Sequence, residues 1–281
     1  MTPTIPPPAR TTRVRPDARG KLLVLPLFCY TLAVFVVPLV LLVRTSFAET
    51  VTGGIGSFTL EHYERFFTTR FYWQVLLTTL VLSLLASLIV AVFGVPYAYG
   101  LLRRPRGRAF FLFALIAPLL VNQVVRVFGL QILVNSINTQ LEKIGVPQLP
   151  FTYSFEAVLL GQVLFLFPFM VIAVYSSLGR LPLAVEEAAA TLGASRLRVF
   201  RHVVLPAARP GIIAGFVLTF TTSTGAYLIP RMLGGGNVTT VPLLIYNDVS
   251  QGQSIAMAAV VGLVLTIIVV PILRLGTGRE R

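Results

Sequence analysis

Glu187-Ala188-Ala189-Ala190-Thr191-Leu192-Gly193, then nine residues, then Val203-Val204-Leu205-Pro206, is the stretch that decides how this chain folds. It lies in a polar, arginine-rich gap between two long apolar runs. Pro182 is suited to open a short helix, because the N–H it lacks has no intrahelical partner in a first turn. Glu186 and Glu187 then sit near the positive end of the helix dipole. Ala188, Ala189 and Ala190 are strong helix formers with almost no bulk, so the helix can lie close in another protein's groove. Gly193 is placed to end it in the left-handed conformation. Ser195 is a natural N-cap for a second short helix. There Leu197, Phe200 and Val204 share one face while Arg198 and Arg201 point elsewhere, the pattern of a helix lying along a membrane surface. Pro206 can open the next apolar run. The plain alternative is a basic interfacial hairpin with no partner. It explains the arginines and the apolar face, but not paired acids on a small-residue helix.

The 281 residues are 56% hydrophobic and 12% charged, with a mean hydropathy of +0.84. A soluble domain of this length would not be so apolar. A bilayer core of ~30 Å needs about 20 apolar residues per helix. Six spans follow, near residues 22–43, 74–101, 109–134, 156–179, 207–229 and 254–274. The second is long enough to tilt or project. Pro26, Pro38, Pro96, Pro118, Pro168, Pro210 and Pro271 fall in or beside spans, where neighbouring groups satisfy the freed carbonyls; static kinks are expected. The fold class is all-α integral membrane: six transmembrane helices with a cytoplasmic hairpin.

The net charge of +13 raises nucleic acid as a partner, and its distribution argues against it. Arg10, Arg13, Arg15, Arg19 and Lys21 precede span one. Arg103, Arg104, Arg106 and Arg108 separate spans two and three. Arg180, Arg196, Arg198, Arg201 and Arg209 lie between spans four and five, and Arg274, Arg279 and Arg281 follow span six. The opposite side holds Arg44, Arg65, Arg70, Lys143 and Arg231. The positive-inside rule makes the richer side, and both termini, cytoplasmic. Phe71, Tyr72 and Trp73 anchor the outer start of span two, and Tyr97 and Tyr99 its inner end. Residues 1–20 read as a disordered basic cytoplasmic tail lying near anionic lipid. Residues 21–275 form the membrane domain, with its hairpin loop at 180–206, and 276–281 are a second tail. The first apolar run is too long for a signal-peptide core and is read as an uncleaved helix. Cys29 is the only cysteine, so no intrachain disulfide is possible.

No Gly-x-x-x-x-Gly-Lys-Ser/Thr occurs, so the chain should not hydrolyse ATP itself. No catalytic residues and no metal ligands are expected: Gly193-Ala194-Ser195 lacks the closing glycine of a nucleophile elbow, and His62 and His202 fall on opposite sides of the membrane. Gly234-Gly235-Gly236 reads as a flexible outer loop. Two polar groups stand within the spans. Thr219, Thr221, Thr222, Ser223 and Thr224, with Tyr227 beyond, lie in the outer half of span five. Such hydroxyls bond their own backbone, hold neighbouring helices or line a polar path. Five in six positions cannot share a side, so Thr221, Thr222, Ser223, Thr224 and Tyr227 are carried as path candidates alongside a packing role. Asn122, Gln123 and Arg126 form the second group. Arg126 lies ~25 Å from the inner start of span three at 1.5 Å per residue; it either serves the path or snorkels to the outer headgroups.

The spacing Glu-Ala-Ala, three residues, Gly, nine residues, Val203, one residue, Leu-Pro resembles the cytoplasmic loop by which ABC importer permeases engage their ATPase. Val203 stands where the family usually has Ile. The likeness covers roughly residues 70–275. It is most similar to the branch serving spermidine and putrescine, ferric iron and related organic ions. That closer likeness rests on Trp73, on Val95-Pro96-Tyr97-Ala98-Tyr99 and on the run from Gly225-Ala226-Tyr227 through Gly234-Gly235. The resemblance implies the type I ABC importer permease fold in a bacterial cytoplasmic (inner) membrane. It makes Glu187, Ala188, Ala189, Gly193, Leu205 and Pro206 the ATPase-coupling loop. It implies no cofactor in this chain, with ATP and Mg on the partner ATPase. The implied partners are an ABC ATPase dimer, a second and different permease chain, a periplasmic or surface-anchored solute-binding protein, and membrane lipid. The implied mechanism is alternating access, with the solute a small polar or organic ion of polyamine type. Polyamine relatives often carry an acid beside the glycine where this chain has Ala226, and no Asp or Glu lies inside a span; the sister subunit would have to supply it. The competing class is an ion-coupled secondary transporter, which needs a titratable relay within the spans and would find only Arg126.

Overall fold

The computed structural model describes residues 18–51, 54–103, 106–145, 147, 153–252 and 254–277. The tails expected at 1–20 and 276–281 lie outside these residues, except that 18–20 form the first turn of α1 and 276–277 continue the last helix. The chain divides into two units, residues 1–44 and 45–281. The first holds most of helix α1 (Ala18–Ser46), whose apolar segment Leu25–Ser46 is long enough to cross a membrane.

The second unit opens with strands β1 (Ala48–Val51) and β2 (Gly54–Phe58), which form an antiparallel pair. Helix α2 (Glu61–Thr68) follows and buries Phe66. Helix α3 (Arg70–Arg103) is 34 residues long, with Pro96 inside it. At 1.5 Å per residue that is ~50 Å, well beyond a bilayer core.

The third span departs from expectation. Instead of one helix over 109–134 there are two, α4 (Arg108–Leu120) and α5 (Gln123–Lys143), bent by 106°. The cause is local. Val121 is extended, with φ −86° and ψ 135°, three residues after Pro118. Asn122 is an N-cap, its side-chain oxygen accepting from the Val124 N–H at 2.8 Å. A residue read as a pathway group thus starts a new helix.

Helix α6 (Phe155–Leu178) matches span four and is capped by Ser154. After the hairpin, α9 (Leu205–Thr224) ends five residues short of the expected 229. The chain breaks at Gly225-Ala226-Tyr227 into the short helices α10 (Leu228–Leu233) and α11 (Val241–Ser250). Helix α12 (Ile255–Thr277) is the last span. The triple glycine between α10 and α11 is tied down rather than loose: Gly234 is buried and the Asn237 side chain donates to the Tyr153 carbonyl at 2.9 Å.

Helices α3, α6 and α9 form the centre of this unit. Ala86, Val90 and Ala98 of α3 pack with Leu166, Met170, Val174 and Leu178 of α6 and Ala208 of α9. Small residues let the backbones approach where lipid offers no hydrophobic drive. A Cβ on Gly211 would lie 2.5 Å from Ser177 Cβ and 2.7 Å from the Ala173 carbonyl; one on Gly215 would lie 2.6 Å from Met170 Sδ. Gly211-x-x-x-Gly215 is the small-residue signal of close helix packing, written in the sequence itself.

Candidate functional site

The hairpin is built from two short helices and one irregular turn. Helix α7 (Leu183–Thr191) starts directly after Pro182. It ends at Gly193, whose φ is +81°. The Gly193 N–H donates to the Ala190 carbonyl at 2.9 Å and the Ala194 N–H to the Ala189 carbonyl at 3.1 Å. This is a Schellman closure, and its left-handed position costs least with glycine. Ser195 caps α8 (Arg196–Val199), accepting from the Arg198 N–H at 3.4 Å.

From α8 the helical path does not stop at Pro206. It passes through a π segment, Phe200–Val204, into α9, giving one continuous run Arg196–Thr224. The Leu205 N–H reaches the Phe200 carbonyl, five residues back. The wide turn accommodates Pro206, which sits in the first turn of α9 and brings no N–H of its own. The expected apolar face of Leu197, Phe200 and Val204 is therefore not formed. Val199 and Val204 are buried, while Leu197 is 65% exposed.

The paired acids separate. Glu187 and Ala188 face outward, and Ala189 turns toward the core. Glu186 is buried, which the sequence did not signal. It accepts from Arg103 Nε at 3.0 Å, is also bonded by Arg103 Nη2, and accepts from the Tyr99 hydroxyl at 2.9 Å. Around Glu187 the hairpin shows open apolar surface. Leu192 is 89% exposed, Leu183 50% and Leu205 40%, and Gly193 and Pro206 are also exposed. Exposed apolar surface of this kind suits contact with another protein or with lipid.

The hydroxyl group of α9 divides in two. Thr219 is fully buried and donates to the Gly215 carbonyl at 2.8 Å. Ser223 is buried and donates across to Gln162 of α6. Thr224 is buried and donates to the Thr221 carbonyl at 2.9 Å. Ser223 and Thr224, expected along a path, are packing groups here. Thr221 is exposed and Thr222 half-buried, each bonded to the carbonyl four residues back. Beyond the end of α9, exposed Tyr227 stacks on Tyr246 of α11 at 5.0 Å, and the Arg231 guanidinium covers the Tyr246 ring at 4.8 Å.

Gln123 and Arg126 lie in the first turn of α5. Both line a cavity of about 270 Å³ at the helix break, with Pro118, Leu130, Phe165 and Ile229 among its walls. The Arg126 guanidinium lies 4.9 Å from the Phe165 ring centroid, and its Nε is buried without a hydrogen-bond partner. The α9 hydroxyls do not line this cavity. Among the described residues no group of three or more His, Cys, Asp or Glu is placed to hold a metal ion.

Comparison with known proteins fits this geometry. Residues 92–275, more than half of the chain, match the family described as binding-protein-dependent transport system inner membrane component. The chain is 37% identical to the spermidine/putrescine transport system permease protein PotB of Escherichia coli K12, over 75% of this chain and 81% of that protein. It is 28% identical to the permease protein PotC of the same system and strain, over 83% of this chain and 86% of that one. The fold resembles that of a chain in a bacterial alginate ABC transporter solved with a pentasaccharide-bound periplasmic protein. The TM-score there is 0.75 at 18% identity, over 93% of each chain. The family match and the relatives together establish that the chain belongs to the binding-protein-dependent inner membrane component family, as a multi-pass permease subunit of an ABC importer.

Proposed function

We propose that the chain forms half of a translocation pathway and that its hairpin docks on an ABC ATPase, which binds and hydrolyses ATP with Mg. The observation that carries this reading is α7 itself: an exposed Glu187 and Ala188 on a helix closed sharply at Gly193. The remaining partners are a second permease chain, related but different, and an external solute-binding protein. ATP binding and hydrolysis favour different states of the ATPase dimer, and the hairpin is where those states act unequally on the permease. Uptake in reconstituted vesicles tests this against an ion-coupled carrier. Transport that requires the ATPase subunit and ATP supports the importer; transport that runs without them and stops with an uncoupler overturns it.

Both termini are assigned to the cytoplasm, with the hairpin, because the basic residues gather there. Reporter fusions at Ala194 are expected to behave as cytoplasmic and those at Thr240 as external. A cytoplasmic Thr240 would overturn the orientation.

The solute we assign is a polyamine-type organic cation. Support comes from the PotB and PotC relatives and from the exposed Tyr227 ring, whose stacking partner Tyr246 already holds a cation, the Arg231 guanidinium. The apolar length of α9 carries no carboxylate, and Ala226 stands beside Gly225; we assign the acids to the second permease. A thermal-shift screen of the solute-binding protein against spermidine, putrescine and neutral sugars tests the class. Stabilisation by sugars alone would reject it. Among the span-five hydroxyls, the path role falls to Thr221 and Thr222, which are not buried. Thr221→Leu with Thr222→Leu is expected to leave complex yield unchanged and slow uptake roughly threefold to tenfold, the weight of hydrogen bonds worth ~0.5–1.5 kcal/mol. Normal uptake would place both threonines against lipid or a partner chain.

A further inference from the structure

The last turn of α3 touches both arms of the hairpin. Tyr99 and Arg103 are four residues apart and so face the same way. Arg103 binds Glu186 of α7 through Nε and Nη2, and its Nη2 also donates to the Leu181 carbonyl at 3.3 Å, just before α7. The Tyr99 hydroxyl holds the other Glu186 oxygen at 2.9 Å. The Tyr99 ring meets Phe200, at the head of the π segment, edge-on at 5.6 Å. One turn of one helix therefore grips the entry and the exit of the hairpin.

The chemistry of this grip resists separation. Glu186 is only 8% exposed, and a buried carboxylate stripped of its guanidinium is left uncompensated. Glu187, the next residue, faces outward. A push on the outer face of α7 thus meets, one residue away, a charged bond to α3. From that bond α3 runs its full 34 residues to the outer aromatic end. On the way it packs on α6 and α9, and at its far end Val75 and Leu76 join the cluster of α2, α11 and α12.

We propose that Arg103 and Glu186, steadied by Tyr99, are the positioning residues that carry hairpin movement into α3. This rests on the reading that the hairpin docks on an ATPase. If the pair were only a staple, its loss would lower the yield of complex but leave solute moved per ATP unchanged in what assembles. If it is the transmitting link, that ratio falls while ATP hydrolysis continues.

The test uses the assembled importer with its ATPase, second permease and solute-loaded binding protein. The variants are Arg103→Glu, Glu186→Arg, the reversed pair carrying both changes, Glu186→Gln and Tyr99→Phe. Complex yield, ATPase rate and uptake are read together. Each single reversal is expected to cut uptake per ATP by about tenfold. The reversed pair should recover to within about threefold of the parent, as a coupled pair does in a double-mutant cycle. Tyr99→Phe keeps the ring on Phe200 and removes one bond, so a loss of about twofold to threefold is expected. Single variants with the parent's ratio, or a reversed pair no better than its single changes, would overturn the proposal. Where a reversal fails to assemble, Glu186→Gln and Tyr99→Phe decide it by the same ratio. Glu187→Arg is run beside them. If it too leaves the ratio intact, hairpin docking fails; if it alone uncouples, only the α3 link fails.

Discussion

Glu187→Arg is expected to leave the permease inserted and folded, yet to cut uptake per ATP by at least about tenfold, a ~1.4 kcal/mol loss of productive docking. Glu187 faces outward, so the change disturbs no buried packing. A cation near the positive end of a helix costs only ~0.3–1 kcal/mol at an exposed site. That is too little to unfold α7 within an assembled hairpin, so the loss falls on the partner's side of the interface. Gly193→Leu reaches the same result by another route. No atom stands within 4 Å of a Cβ there, so the substitution meets no clash. Its φ of +81° is the whole penalty, worth ~1–2 kcal/mol for an L-residue. Relaxing that strain opens the turn and tilts α7 away from its seat. Purified complexes of both variants, assayed for solute-stimulated ATPase and uptake, check this. Parent-like coupling in both would remove the hairpin from the mechanism.

Gly211→Val is expected to abolish assembly rather than coupling. The obstacle is α6 backbone, with the Ala173 carbonyl at 2.7 Å and Val174 Cα at 3.0 Å from the new Cβ. Backbone cannot swing aside as a side chain can, so α9 must lift off α6 along its most intimate seam. Overpacking costs ~1–3 kcal/mol even where side chains yield, so yield of folded complex should fall by about tenfold or more. Gly100→Ala is the matched control. It too lies inside a helix, but nothing stands within 4 Å of its Cβ, and alanine favours the helix by up to ~1 kcal/mol. Complex yield by size exclusion, with detergent-solubilised melting, separates the two. A well-assembled Gly211→Val complex would show that α6 and α9 are not closely locked.

What the sequence made legible, and what it did not, follows from the range of the interactions. Local signals served well. Pro182, Gly193 and Ser195 act through their own backbone and its next few residues, and they mark helix start, stop and restart as their chemistry requires. Apolar length found the spans. The break at Asn122 was written locally too, as an N-cap four residues after an in-helix proline, but unbroken hydropathy masked it. Glu186 could not be told from Glu187, because the difference lies in Arg103, 83 residues away. The hydroxyls of α9 could be counted but not sided, since Gln162 of α6 decides where Ser223 points. The Leu197, Phe200 and Val204 face failed because it assumed uniform 3.6-residue winding, and the chain winds wider there.

That wide turn changes how the segment tolerates altered length. Along Arg196–Thr224 one line of buried positions runs Val199, Val204, Ala208, Gly211, Gly215, Thr219 and Ser223, with Phe220 and Thr224 buried beside it. Every step is three or four residues except the first, which is five. One residue has in effect been spliced into an ordinary helix at Phe200–Val204, and the flanks remain in phase because the turn swells to hold it. Removing one residue inside this window would restore regular winding with both flanks still aligned, but would bring the Pro206 ring against the carbonyl four residues before it. A deletion anywhere in the regular part of α9 has no such slack and would swivel the hairpin by ~100° about the helix axis. The junction between hairpin and span is thus the place in this helix where loss of a single residue keeps the hairpin in phase with the span, with Pro206 as the obstacle.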